Sequence, residues 1–118
     1  MMYVQGFVVP VPEANRDAYL EVASRFDRWL IDHGAVEVME AWEERVEDGK
    51  HTDFRRAVAA EPGEKIVFSW VIWPDRAAAD AAEKAMEGDP IFAQMGDMPF
   101  DGKRMIYGGF SPVLELGR

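Results

Sequence analysis

The stretch from Lys65 to Trp73 constrains the fold more than any other part of the sequence. It reads KIVFSWVIW and is rich in the β-branched and aromatic side chains that are typical of a β-strand. Successive side chains of a strand point to opposite faces of the sheet. One row therefore consists of Ile66, Phe68, Trp70 and Ile72, and the other of Val67, Ser69, Val71 and Trp73. Because both rows are largely apolar, we expect a sheet that is covered on both faces.

Three further strands are predicted on either side of this one in the sequence. They cover residues 3–9, 36–44 and 105–110, which are again rich in β-branched and aromatic types. The first is expected to end at Pro10, because proline has no N–H to donate to a neighbouring strand.

Two helices are predicted between the strands. The first covers residues 12–33, with Pro12 in its first turn, Gly34 as its C-terminal cap and Asp27 on its polar face. Its apolar stripe consists of Tyr19, Val22, Ala23, Phe26 and Leu30. The second helix follows Pro74-Asp75 and extends to about Met86. Its stripe is predicted to be Ala78, Ala81, Ala82 and Ala85. A short helical turn from Phe54 to Ala59 is predicted with Thr52-Asp53 as its cap.

The order of these elements is β-α-β-β-α-β. This order predicts an α+β, ferredoxin-like sandwich with a four-stranded antiparallel sheet and both helices on one face. At 118 residues the chain is expected to form a single domain over residues 1–118.

One face of the predicted sheet has no helix to cover it. Four strands about 4.8 Å apart make a sheet about 19 Å wide, which two helices about 10 Å across cover on one side only. An exposed face that carries Phe68, Trp70 and Ile72 is typical of an interface. We therefore expect a homodimer in which two sheets pack face to face through these residues.

Four motifs resemble the YbaA-like family of bacterial proteins, which is catalogued as domain of unknown function 1428. They are YVQGFVV at residues 3–9, TDFRRAV at 52–58, VFSW at 67–70 and MPFDGKRMIYGGF at 98–110. The resemblance covers essentially the whole chain. It implies a ferredoxin-like subunit of the dimeric α/β-barrel superfamily, and it implies no particular reaction. Other branches of that superfamily include cofactor-independent monooxygenases and muconolactone isomerase-like proteins, and such a likeness of fold does not by itself assign a function.

The charge balance argues against two classes of partner. Thirteen basic and 22 acidic residues leave a net charge of −9, which disfavours binding to nucleic acid and to anionic membranes. The sequence has no cysteine, and no N-terminal signal segment or apolar run of membrane-spanning length is recognisable. These features predict a cytoplasmic protein.

No metal, cofactor or catalytic residue is predicted from motifs. The two histidines, His33 and His51, do not belong to a metal-binding spacing. Ser69 lies mid-strand and is interpreted as a buried, hydrogen-bonded hydroxyl and not as a nucleophile.

Two polar clusters are the candidates for ligand binding. The first consists of His51, Asp53, Arg55 and Arg56, and the second of Asp101, Lys103, Arg104 and Tyr107. Arginine offers a planar fork to carboxylates, so clusters bordering the space between sheet and helices would bind a small acidic or aromatic compound. The alternative is that these arginines pair with local carboxylates, and in so acidic a chain this alternative is favoured.

Three functions remain open at this point. The first is a dimer that binds a small organic molecule between sheet and helices. The second is a cofactor-independent enzyme, monooxygenase- or isomerase-like, acting on an aromatic or lactone substrate, with His51, Arg55 or Tyr107 handling protons. The third is a protein-interaction module. Residues 89–101 are predicted to cover the pocket, with Ile91, Phe92, Met95 and Met98 as its apolar side chains.

Overall fold

A four-stranded antiparallel sheet organises the chain. In the computed structural model, which describes residues 1–94 and 96–117, the strands lie in the order β2-β3-β1-β4. They are β1 (Tyr3–Pro12), β2 (Glu37–Trp42), β3 (Glu64–Trp73) and β4 (Ile106–Phe110). The two central strands are the first and third of the sequence, as in a ferredoxin-like fold. The predicted α+β fold class is confirmed.

The helices connect the strands as the sequence predicts. They are α1 (Arg16–Asp32), α2 (Phe54–Ala57), α3 (Arg76–Gly88) and α4 (Ile91–Gln94), with 3-10 turns at Glu13–Asn15 and Gly102–Arg104. The predicted starts of α2 and α3 are confirmed, because Asp53 accepts a hydrogen bond from the backbone N–H of Arg56 and Asp75 accepts one from Ala78, each at 2.8 Å. Pro12, predicted in the first turn of α1, is instead the last residue of β1, and α1 begins at Arg16. No helix of the described chain is both long enough and apolar enough to cross a membrane.

The core fills the space between the sheet and the helices α1 and α3. Val67, Val71 and Trp73 are buried on this inner face of β3, so the two predicted rows of the strand are confirmed. The alanine stripe of α3 was predicted correctly at Ala78 and Ala82 but wrongly at Ala81 and Ala85, which are exposed, while Ala79 is buried. The buried row of Ala79 and Ala82 continues to Met86, which packs against the core. Burying this longer side chain removes more apolar area from water than burying an alanine would.

The first strand is longer than predicted, because it continues through Pro10 to Pro12. Both prolines pair with β3, opposite Ile66 and Glu64. The other edge of β1 pairs with β4 only as far as Val8. Beyond Val8, β1 has a neighbouring strand on one side only. The prolines therefore have no strand on their other side to which a backbone N–H group would have to donate.

The outer face of the sheet, on the side away from α1 and α3, is apolar and open. Its shallow concavity is lined by side chains that include Val4, Val8, Phe68, Trp70, Ile72, Ile106 and Phe110. Phe68 is 42% exposed and Phe110 is 61% exposed. The predicted interface residues Phe68, Trp70 and Ile72 therefore share one uncovered face.

Candidate functional site

A cavity of about 190 Å³ lies between α1 and the inner face of the sheet. Most of the side chains around it are apolar. They are Phe7 and Val9 from β1, Val22, Ala23, Phe26 and Leu30 from α1, Val71 from β3, and Met98, Phe100 and Met105 from the chain that follows α4. The polar side chains around it are Tyr19, Asp27, Glu40 and Ser69.

The chain between α4 and β4 forms one wall of this cavity. The Asn15 side-chain amide donates a hydrogen bond to the carbonyl oxygen of Pro99 at 3.0 Å. The next residue, Phe100, contacts Tyr19 edge to face with ring centroids 5.6 Å apart. Of the side chains predicted to cover a pocket, Met98 lines the cavity, Phe92 packs against Trp29, and Met95 lies outside the described residues. That residues 89–101 cover a bound ligand stays a prediction.

Two carboxyl groups and a phenol form a hydrogen-bonded group at the cavity wall. The Tyr19 hydroxyl donates to Glu40 Oε1 at 2.7 Å, and the carboxyl groups of Asp27 and Glu40 are hydrogen-bonded to each other. An ionised carboxylate only accepts hydrogen bonds, so the second bond requires one proton on the pair. Burial raises the pKa of Asp27 to about 8, and the hydrogen bond to Glu40 and its negative charge act in the same direction. At neutral pH the carboxyl of Asp27 is therefore largely protonated.

The phenol of this group stays neutral. Burial, and then the charge of Glu40, raise the pKa of Tyr19 well above its usual range. Tyr19 therefore acts as a hydrogen-bond donor that holds the Glu40 carboxylate in place.

Ser69 supplies the fourth polar group of the cavity. It lies on the inner face of β3, opposite Glu40 of β2, and is 6% exposed. Its burial was predicted correctly, but among the residues that the structure describes its hydroxyl has no hydrogen-bond partner. Because Ser69 lines the cavity, its hydroxyl is available to a ligand there.

The first predicted cluster lies away from the cavity. Arg55 donates to Glu43 at 3.0 Å, and Arg56 pairs with Asp53 at 2.9 Å. The Arg56 side chain lowers the pKa of Asp53 to about 2 by hydrogen bonding. His51 is exposed. Both arginines of this cluster are thus paired with local carboxylates, and ligand binding by these residues stays a prediction.

The second cluster is built around Arg104. Its guanidinium donates to both carboxylate oxygens of Glu64 at 2.7 Å and to Asp101 at 3.0 Å, and the hydrogen bonds from Arg104 hold the pKa of Glu64 below its usual range. Lys103 is exposed. Tyr107 is 73% exposed and stacks on Phe7 with centroids 6.1 Å apart. The structure brings Arg55 and Arg104 together at Glu64, since Arg55 donates to its backbone carbonyl, but neither lines the cavity.

Metal ligands do not converge in the part of the chain that the structure describes. No three of its histidine, aspartate and glutamate side chains are grouped so that they could hold a metal ion.

Comparison with known proteins identifies the family. A family model described as "Protein of unknown function (DUF1428)" matches residues 2–102. The uncharacterized protein YbaA of Escherichia coli K12 is 48% identical over 116 residues, which cover 98% of this chain and 99% of YbaA. The chain belongs to the DUF1428 family. The resemblance of the four motifs is thereby confirmed.

Solved structures share the fold of this DUF1428 protein. A mutant of SnoaB, a cofactor-independent oxygenase from Streptomyces nogalater, has a TM-score of 0.61 and 15% identity, over 99% of this chain and 98% of its own. A dimeric ferredoxin-like protein from an uncultured marine organism has a TM-score of 0.57 and 13% identity, over 98% of each chain. At these identities the likeness is one of fold alone.

The two carboxylates of the cavity in the DUF1428 chain, Asp27 and Glu40, were not predicted as site residues. Asp27 follows Ala23 by four residues and precedes Leu30 by three, so it lies on the apolar stripe of α1 and not on the polar face. Glu40 alternates with the inward-facing Val38 and Trp42 of β2. A carboxylate at an inward position of both elements was the available signal.

Proposed function

We propose that this protein is a cytoplasmic homodimer that binds a small, largely apolar organic molecule in the cavity between α1 and the sheet. The observation that supports the proposal is an apolar cavity in which Tyr19, Asp27 and Glu40 form one hydrogen-bonded polar group between α1 and β2. A cavity of about 150 Å³ holds benzene, so about 190 Å³ accommodates a single ring with a small substituent. Burying a carboxyl pair costs free energy, which a hydrogen-bonded ligand would offset.

The homodimer is supported by the outer face of the sheet. Phe68, Trp70 and Phe110 present a continuous apolar surface there, with Trp70 held by a 2.9 Å hydrogen bond from its indole N–H to Glu37. Monomeric proteins rarely leave such a surface open to water. The name of the dimeric ferredoxin-like protein adds a precedent for two copies of this fold. We infer that a second copy covers the face.

Native mass spectrometry of gently purified protein tests both parts of the proposal. The expected mass is twice that of the chain plus a reproducible adduct. The adduct is expected to be lost in Ala23→Leu, which adds methyl groups to the cavity wall at a cost of about 1–3 kcal/mol in stability. The matched control is Ala18→Leu, on the exposed side of the same helix. An adduct that survives in Ala23→Leu would show that the ligand binds elsewhere, and a monomer would remove the dimer from the proposal.

A second candidate is an enzyme, isomerase-like or oxygenase-like, that moves a proton on the bound molecule. It is favoured by the pKa of Asp27, which burial raises to about 8. An acid–base group is most effective when its pKa lies near the pH at which the enzyme works. In the first step a C–H bond next to a carbonyl breaks and its proton passes to the Glu40 carboxylate, while Asp27 donates its proton to the carbonyl oxygen, so that the bonding electrons form the C=C bond of an enol. Solvent exchange then returns a different proton to the carbon.

Deuterium exchange tests this second candidate. Incorporation of deuterium from D₂O into cyclohexanone is expected to be faster with the protein than with Glu40→Gln. Equal rates for the two proteins would exclude the carboxyl pair as an acid–base catalyst for such a ketone.

A further inference from the structure

The polar groups of the cavity are arranged to accept hydrogen bonds from a ligand. Glu40 uses one oxygen for the Tyr19 hydroxyl and also holds Asp27, but a carboxylate offers about four acceptor positions. The hydroxyl of Tyr19 is already directed at Glu40 and is not free to donate elsewhere. The unpartnered hydroxyl of Ser69, which both donates and accepts, faces the same space.

The charge of the cavity disfavours anions. None of the described residues that line it is lysine, arginine or histidine. Arg55, Arg56 and Arg104 are paired with carboxylates elsewhere. The titratable side chains of the lining are Tyr19 and Asp27 from α1 and Glu40 from β2, while β1, β3 and residues 98–105 contribute none. An anionic ligand would therefore meet a negative charge in a largely apolar space, with no cation to compensate it.

We propose that the ligand class of this cavity is an uncharged ring compound bearing a hydroxyl or N–H group, which donates a hydrogen bond to Glu40, and that the corresponding carboxylic acids are excluded. The inference rests on the proposed function, because it names the chemistry of the ligand in the same cavity. It places the ligand away from the two arginine clusters that the sequence offers as candidates for binding a small acidic or aromatic compound.

Three probes of similar size separate the contributions that the apolar ring, the hydroxyl group and the negative charge of a ligand make to binding. Titration calorimetry is carried out on the whole protein with phenol, toluene and benzoate at pH 6.5. A purely apolar cavity favours toluene, because toluene gains more from leaving water. A hydrogen bond to a charged acceptor is strong enough to reverse this order, so phenol is expected to bind at least about fivefold more tightly than toluene. Benzoate is expected to bind at least about tenfold more weakly than phenol.

The outcomes distinguish the inference from the proposed function. Toluene binding as tightly as phenol, or benzoate binding as tightly as phenol, would overturn the ligand class and leave a small-molecule cavity in place. Failure of both phenol and toluene to bind would overturn the proposed function together with the inference.

A charge-neutral variant provides the second measurement. Glu40→Gln keeps the size of the side chain and removes its negative charge, so the preference for phenol over toluene is expected to fall severalfold and the exclusion of benzoate to weaken. Glu44→Gln makes the same change at an exposed residue just after β2 and is expected to alter neither ratio. If Glu40→Gln retains both ratios of the unmodified protein, Glu40 does not select the ligand.

Discussion

Asp27 links the candidate site to the stability of the protein. The pKa of its carboxyl is raised from 3.8 to about 8 by burial and by Glu40. Because the folded value exceeds the unfolded one, the stability that this group provides is complete below about pH 4 and is lost as the pH rises to about 8. Asp27→Asn stays neutral and keeps an N–H donor for Glu40. We therefore predict that the free energy of unfolding of Asp27→Asn, relative to that of the unmodified protein, increases as the pH is raised from 5 to 8.

Urea unfolding at a series of pH values measures this difference. Asp32→Asn, at an exposed position of the same helix, is the control, and its difference from the unmodified protein is expected to stay flat over this range. A flat difference for Asp27→Asn as well would mean that Asp27 is ionised in the folded protein.

The residues of the site were only partly predictable, and the reason differs between them. Helical periodicity alone assigns Asp27 to the apolar stripe, whereas its charge favours the polar face. The partner carboxylate Glu40 lies on a different element, so no local pattern connects the two. The arginines were predictable as ion-pair partners because carboxylates are abundant in this chain. Arg55 and Arg104 both donate hydrogen bonds to Glu64, and this meeting depends on tertiary contacts that no local pattern predicts.

At the scale of elements, Arg104 attaches the turn Gly102–Arg104 to the start of β3. Its guanidinium is 21% exposed and faces Glu64, whose side chain is 7% exposed. Removing the cation leaves a buried carboxylate unpaired. We predict that Arg104→Gln lowers the melting temperature at pH 7, whereas Arg45→Gln, in an ion pair exposed on both sides, changes stability by less than about 0.5 kcal/mol.

The pH dependence of the melting temperature shows whether loss of the ion pair causes the destabilisation in Arg104→Gln. The pKa values of Glu64 and Asp101 are both lowered, chiefly by hydrogen bonds from Arg104. Their contribution to stability is present at neutral pH and is lost as the pH falls through the folded values. The difference in melting temperature between the unmodified protein and Arg104→Gln is therefore expected to shrink below about pH 4. A difference that is independent of pH would assign the effect to packing.

The helices and strands could be predicted from local sequence signals, whereas the contacts between them could not. Strand composition and the caps Asp53 and Asp75 located most elements to within a few residues, because these signals act over one or two turns. The position of residues 96–105 was not predictable. Its hydrogen bond from Asn15 to Pro99 joins residues 84 positions apart, and no periodic pattern marks it.

For the whole molecule, the order of elements determined the topology, but not the cavity. The order β-α-β-β-α-β admits few connections, and the observed sheet is the expected one. Small side chains at Ala23 of α1 and Ser69 of β3 leave room for the cavity between the helix and the sheet. That spacing is a property of the assembled structure.

The outer face of the sheet carries the last prediction, which concerns assembly. If two copies pack through this face, Trp70→Asp places an unpaired charge in the interface, and the dimer dissociation constant is expected to rise at least about 100-fold. Phe110→Asp tests the same face from an edge strand, where the side chain is 61% exposed and a charge disturbs the subunit less. Ile31→Asp, at an exposed apolar position of α1, is the control. Sedimentation velocity is expected to show monomers for the first two variants and a dimer for the third. Stable dimers of both Trp70→Asp and Phe110→Asp would mean that the subunits associate through a different surface, because a face of paired strands has no room to accommodate two buried charges without partners.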